Sequence, residues 1–172
     1  LYRSPLGTIT LAADSEGRTG LWFEGQKYFA ATLDAQHEET MLPIFEQTRR
    51  WLDNYFGGND PGPTPPLHLQ GSPFRLAVWE ILRQIPFGKT ITYGEIAREI
   101  ARRQGSKTVP AQAVGGAVGH NPVSIIVPCH RVVGSNGSLT GYAGGIERKV
   151  RLLALEKADM TGLFAPQKGT AL

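Results

Sequence analysis

The chain is 172 residues long, 41% hydrophobic, and carries a formal net charge of +3; that suffices for one domain or two small ones with packed cores, and no apolar run approaches the roughly 18 residues that would cross a membrane. Its single cysteine excludes an internal disulfide, argues against a structural zinc site, and fits a reducing cytoplasm (or a nucleus, in a eukaryote). Charge is split: residues 1–70 hold 5 Lys/Arg against 9 Asp/Glu and residues 71–172 hold 13 against 6, which suggests a polyanionic partner for the C-terminal half, although an ordinary solvated surface would give the same balance.

Thr8–Ala12 reads as a strand, Asp14-Ser15-Glu16-Gly17 as a turn and Gly20–Phe23 as a second strand, together a hairpin. Residues 24–40 show no clear period. Ile44, Phe45, Thr48, Leu52, Tyr55 and Phe56 recur at helical spacing, and Gly57-Gly58 ends that helix. This unit shows no chemistry of its own, and His37 reads as a surface residue. Asn59 to Pro66 holds four prolines in eight positions, an extended linker and the expected domain boundary, with His68 beyond it as a strand or loop residue.

Ser72-Pro73 opens a helix as N-cap and first helical residue. Phe74, Val78, Ile81, Leu82 and Ile85 form its apolar face, and Pro86 and Gly88 end it. Thr92-Tyr93-Gly94-Glu95 has capping-box spacing, with Ile91 and Ile96 placed as a hydrophobic staple, so a second helix runs from Tyr93 through Ile100. Arg98, Arg102, Arg103 and Lys107 crowd its end. Pro110 leads into a third helix, Ala111 to about Gly119, whose side chains are small: Ala111, Ala113, Gly115, Gly116, Ala117. Glycine inside a helix costs about 1 kcal/mol relative to alanine. Close approach of another surface, either a packed helix or a ligand, is the expected compensation. Helix, basic loop and small-faced helix together resemble a helix-turn-helix.

Ile125-Ile126-Val127 reads as a buried strand that Pro128 terminates, delivering Cys129 to a break in the structure. Val132-Val133 and Leu139-Thr140 flank Gly134-Ser135-Asn136-Gly137 in a hairpin-like connection. Gly141-Tyr142-Ala143-Gly144-Gly145 is a loop able to lie against a flat ligand. Ile146, Val150, Leu153 and Ala154 make a last amphipathic helix that carries Glu156, and residues 157–172 read as a tail.

A lone cysteine is most often a small buried hydrophobe. Cys, His and Glu are nevertheless the parts of an activated thiol, because the thiolate is the nucleophile and a positioned base generates it. Along a straight strand Cys129 and His130 would point to opposite faces, so a bridging water is the expected connector. On the residues alone, a cysteine hydrolase and an alkyl acceptor are not separable.

Pro128-Cys129-His130-Arg131-Val132, with Asn121-Pro122 upstream and Gly141-Tyr142-Ala143-Gly144-Gly145 downstream, resembles the active-site signature of the O6-alkylguanine-DNA alkyltransferases, the methylated-DNA–protein-cysteine methyltransferases. The resemblance is specific from about Gly71 to Glu156 and loose over Leu1 to Gln70. It implies an α/β (α+β) fold: a small N-terminal α/β domain (1–66) with antiparallel strands, a mostly helical C-terminal domain (67–158) containing a helix-turn-helix, and a tail (159–172). It also implies a monomeric DNA repair protein, without cofactor or metal. Such a protein takes the alkyl group of O6-alkylguanine, and of O4-alkylthymine, from duplex DNA onto its own cysteine, once per molecule, after flipping the damaged base.

Carried onto this chain, the resemblance makes Cys129 the nucleophile, His130 its base through water, Glu156 the group that orients His130, and Asn121 a buttress of the active-site turn. Tyr93 would donate towards the guanine and rotate the target phosphate. Val132, Ala143 and Ser124 would contact the base, and Tyr142 would wall its pocket. The DNA surface would comprise Thr92, Tyr93, Ala111, Gln112, Ala113, Gly115 and Arg131. Gln112 stands where the family commonly has an intercalating arginine, and Ala143 stands where a serine is familiar. The interval from Glu95 to Ala111 is longer than usual, with a basic segment at Arg102–Lys107. A lesion-binding relative without the cysteine, a cysteine hydrolase and a transcription regulator are the competing readings.

Overall fold

The computed structural model describes residues 1–64 and 66–166. Three strands, β1 (Tyr2–Ser4), β2 (Gly7–Ala13) and β3 (Arg18–Phe23), form an antiparallel sheet in the order β1-β2-β3, with Leu11 opposite Leu21 and a bulge at Ala12/Ala13. The expected hairpin is therefore present, and β1 extends it. Helix α1 (Pro43–Phe56) buries Thr48, Trp51, Leu52 and Tyr55, one stripe of an amphipathic helix.

The remaining elements are mainly helical: α2 (Pro73–Arg83), β4 (Ile91–Thr92), α3 (Tyr93–Gln104), α4 (Ala111–Gly119), β5 (Val132–Val133) and α5 (Ile146–Leu155). Ser72 caps α2 by accepting from the Arg75 amide at 3.2 Å. The α3 capping box is complete. Glu95 N–H donates to Thr92 Oγ1 at 3.1 Å, and Thr92 N–H donates to Glu95 Oε2 at 2.7 Å. Helix α3 continues past Ile100 to Gln104, where Gly105 closes it in the left-handed conformation (φ 66°).

One apolar core joins the sheet, α1, α2, α3, α4 and the Cys129 turn, and contains Ile9, Leu21, Leu52, Val78, Leu82, Ile96, Val114 and Val127. Each such aliphatic side chain contributes roughly 1.5–3 kcal/mol on burial. The Trp79 indole ties α2 to α4 by donating to the Ala117 carbonyl at 2.8 Å. The edge of β3 holds the Pro122–Ser124 segment directly: Leu21 N–H donates to Pro122 O and Ser124 N–H donates to Leu21 O, both at 2.9 Å.

Three expectations need correction. Ile125–Val127 is a turn and not a strand. Apart from an isolated bridge between Val123 and Leu21, no ladder forms there, and Ile125 takes a positive φ of 69°. The hairpin after Cys129 does not form either: Gly134 N–H donates to Ser138 O, but β5 pairs in parallel with β4 and Leu139 N–H donates to Phe164 O. Phe164 belongs to the segment expected as a tail. There Ala158, Met160 and Leu163 pack on Val133, Leu139 and Leu153, because this small cluster needs a cover that the missing hairpin does not supply. Residues 167–172 of that expected tail lie outside the described residues. Among the described residues no helix is long and apolar enough to cross a membrane.

Candidate active site

Cys129 opens a short 3-10 turn, Cys129–Arg131, immediately after Pro128. Asn121 builds the approach to it. Its Nδ2 donates to the Val127 carbonyl at 2.7 Å while its Oδ1 accepts from the Val123 amide at 3.0 Å, closing the tight turn that replaces the expected strand. The thiol is buried, and burial pushes its pKa up. The Asn121 side chain, the Lys149 charge and the amides of Cys129 and His130 all work in the opposite direction, favouring thiolate.

His130 and Glu156 are both fully buried, and the imidazole Nε2 donates to Glu156 Oε1 at 2.6 Å. That bond fixes the tautomer and leaves Nδ1 as the basic atom; Nδ1 has no hydrogen-bond partner among the described residues. Glu156 follows the last residue of α5, at the negative end of the helix dipole, where a carboxylate is disfavoured. Arg131 offsets this with Nε 2.9 Å from Oε2 and Nη2 2.9 Å from Oε1, and the Gly88 amide donates to Oε2 at 3.0 Å. Gly88 reaches it only through a backbone with φ +78° and a close pass over the Glu156 carbonyl, a position a side chain would not tolerate. Although burial raises the Glu156 pKa, His130 and Arg131 together hold it well below the carboxylate range. For His130, burial lowers the pKa and, with the charges of Arg131 and Lys149, outweighs the raising influence of Glu156, which favours the neutral ring.

Three further groups surround the thiol. The Lys149 ammonium, on the inner face of α5, donates to the Val132 carbonyl and, at 3.0 Å, to the Thr140 carbonyl; burial lowers its pKa to about 8. The Tyr93 hydroxyl donates to the Thr140 carbonyl at 3.0 Å, and its pKa is raised first by burial and then by Cys129. Tyr142 is buried near Cys129 and Ser124, with Gly144 packed beneath its ring, and Val132 is buried in the core. Ala143 accepts from the Lys27 amide at 3.0 Å, so the segment after β3 crosses the loop.

Cys129, His130, Glu156, Asn121, Tyr93, Val132, Tyr142 and Ser124 thus converge. Thr92 lies at the start of α3, and Ala111, Gln112 and Ala113 are exposed along the first turn of α4. Gly116 and Gly119 have no atom within 4 Å of where a Cβ would stand, so α4 is open along these two glycines, whereas Gly115 and Ala117 of the expected small face are buried and Ala117 is met by Trp79 of α2. Two expected DNA residues sit elsewhere. Gly115 is on the buried side of α4. Arg131 is buried, held by Glu156 and by Ile85 O at 2.7 Å, since its charge is needed to stabilise that carboxylate. In the basic segment, Arg102 and Arg103 both pair with Glu99, at 2.7 and 2.8 Å, which partly neutralises them.

Sequence reasoning missed Lys149 and Tyr55. A signal for Lys149 was present: Ile146, Lys149, Leu153 and Glu156 recur at three- and four-residue spacing, which puts two charges on the apolar face of α5.

Two family models match the chain. The 6-O-methylguanine DNA methyltransferase DNA binding domain covers residues 73–158, and the ribonuclease-like domain of the same family covers residues 1–67. The chain belongs to the 6-O-methylguanine DNA methyltransferase family. The methylated-DNA–protein-cysteine methyltransferase of Haemophilus influenzae is 42% identical to it over 157 residues, 91% of this chain and 84% of the relative. That of Methanosarcina acetivorans is 42% identical over 158 residues, covering 91% and 96%. The crystal structure of Mycobacterium tuberculosis OGT in complex with DNA matches with a TM-score of 0.76 at 41% identity, over 94% of this chain and 95% of that one. The expected activity stands: this is a methylated-DNA–protein-cysteine methyltransferase, a DNA repair protein with the mixed α/β fold of its relatives.

Proposed function

We propose that this methyltransferase removes alkyl groups from O6-alkylguanine, and from O4-alkylthymine, in duplex DNA and keeps them on Cys129, one per molecule. The observation that carries the reading is the convergence of the only cysteine with a buried His130–Glu156 pair whose free Nδ1 is the available base. His130 takes the thiol proton through a water. The sulfur attacks the alkyl carbon in line, the S–C bond forms as the C–O6 bond breaks, and the electron pair leaves on the guanine. Tyr93 exchanges Thr140 O for the guanine N3 and donates there as charge develops.

The thioether product has no leaving group to regenerate the thiol, so the reaction ends after one turnover. The O6 atom is stacked and paired inside the duplex, so the base is first extruded. The open face of α4 enters the minor groove, and Gln112 fills the space left behind. The backbone of Val132 and Ala143, with Ser124 and the Tyr142 ring, forms the base pocket. Residues 1–66 act as the supporting domain, and α3 with α4 acts as the helix-turn-helix.

The test is stoichiometry. A fixed amount of protein is titrated with an increasing excess of duplex carrying O6-methylguanine labelled in the methyl group. Transfer that levels off at one methyl per protein is the expected result. Continued release of methanol at constant protein would identify a hydrolase instead.

A further inference from the structure

We propose that Tyr55, on α1 of the N-terminal unit, is a positioning residue for the transfer reaction, acting through Glu156 on His130. The inference rests on the reading above, in which Glu156 orients His130 as the base. Tyr55 is fully buried, and its hydroxyl donates to Glu156 Oε1 at 2.7 Å. That oxygen is the one that receives His130 Nε2 at 2.6 Å, and the Tyr55 hydroxyl itself lies 3.4 Å from Nε2. One carboxylate oxygen is therefore shared by the imidazole, the phenol and Arg131 Nη2, while the other takes Arg131 Nε and the Gly88 amide.

The ring is fixed independently of its hydroxyl. It stacks on Trp51 at 5.7 Å with planes 3° apart, and it meets Phe87 at 6.0 Å and His130 at 6.5 Å edge to face. The hydroxyl is thus held against the carboxylate by packing that a phenylalanine would keep.

A donor on Oε1 draws charge from the carboxylate and limits how strongly Glu156 holds a proton on His130. The charged and titratable groups facing His130 are Glu156 and Lys149 from α5, Arg131 and Cys129 from its own turn, Tyr55 from α1 and Tyr142 from the following loop. Among the described residues, Tyr55 alone of these comes from the N-terminal unit, so there that unit reaches the reacting groups by one neutral, removable hydrogen bond. Without it Glu156 favours the imidazolium more, and less of His130 is available as base near neutral pH.

The experiment measures single-turnover transfer from an O6-methylguanine duplex across pH, with the full chain, for wild type, Tyr55→Phe, Glu156→Gln and the double variant. Rates are normalised to the folded fraction from circular dichroism. Expected are a loss of about tenfold for Tyr55→Phe near neutral pH, in the range of one hydrogen bond to a charged group, an acid limb displaced to higher pH, and no further loss when Tyr55→Phe is added to Glu156→Gln. A slow Glu156→Gln beside an unaltered Tyr55→Phe overturns this inference and leaves the role of Glu156 standing. An unaltered Glu156→Gln overturns both. Equal losses from Tyr55→Phe in both backgrounds, with no movement of the acid limb, would assign Tyr55 to packing and overturn the inference.

Discussion

Lys149 donates its ammonium to the carbonyl of Thr140 at 3.0 Å, from inside the protein and beside Cys129. A buried cation next to a thiol is poised to favour thiolate. Lys149→Met is expected to keep the packing of α5 and raise the Cys129 pKa further, cutting the thiolate fraction roughly tenfold for each unit at fixed pH. The pH dependence of iodoacetamide labelling at Cys129 checks it, and a labelling profile matching wild type would remove Lys149 from the electrostatics of the site.

Glu156→Gln is expected to slow transfer by roughly 10²–10⁴-fold, the usual worth of a positioned base. It also leaves Arg131 and its buried charge without a carboxylate. Breaking one side of a buried ion pair destabilises by about 3–5 kcal/mol. The variant should therefore melt well below wild type, and the rate per folded molecule is the quantity to compare. An unchanged melting temperature would contradict the Arg131 account.

Gln112 stands exposed on the first turn of α4. Gln112→Ala is expected to weaken repair of duplex DNA far more than reaction with free O6-alkylguanine base, because only the duplex demands unstacking, a few kcal/mol. Gln112→Arg should retain or improve duplex repair by adding charge and a stacking plane. Equal losses on both substrates for Gln112→Ala would place Gln112 in the pocket or the fold instead.

His68 bridges two carboxylates of the β2–β3 turn, Asp14 at 2.5 Å and Glu16 at 3.1 Å. The Asp14 hydrogen bond raises the His68 pKa; for Asp14, burial is the largest single influence and raises its pKa, but the bonds from His68 and two backbone amides together pull it down on balance. A histidine raised in the folded state stabilises fully below its unfolded value of about 6.5 and loses that contribution as pH rises through its folded value; a depressed aspartate loses its contribution as pH falls. The stabilising window is therefore mildly acidic. Melting temperatures of wild type and His68→Gln should differ more near pH 5.5 than near pH 8.5; a difference independent of pH would contradict the ion cluster.

Local chemistry made most elements legible. Ser72-Pro73, the Thr92–Glu95 box and the apolar stripe of α5 are short-range signals, and each placed an element correctly. Ile125–Val127 misled because a β-branched run reads as a strand wherever it occurs. Asn121, four residues upstream, bends it by satisfying backbone groups that a ladder would otherwise take. The missing hairpin has the same origin: the partners of Val132 and Leu139 are Ile91 and Phe164, at separations no local pattern reveals. In the site, the nearness of Asn121 to the Cys129 turn and of His130 to Glu156 follows from the expectations that the family resemblance set on the Pro128–Val132 signature, Asn121 upstream and the last helix. Tyr55 was not legible, because 75 residues separate it from His130 and its helical spacing marked it only as core. Arg131 was expected on the DNA surface because sequence shows charge but not burial.

The central claim is that Cys129 is the acceptor. The most direct measurement is mass spectrometry of the peptide holding Cys129 after incubation with a duplex containing O6-methylguanine, run in parallel on Cys129→Ser. The expected result is a single CH2 increment on Cys129, saturating at one per molecule, with none in the serine variant although it still binds the duplex. An unmodified Cys129 beside repaired DNA, a methyl on another residue, or repair that persists in Cys129→Ser would contradict the account.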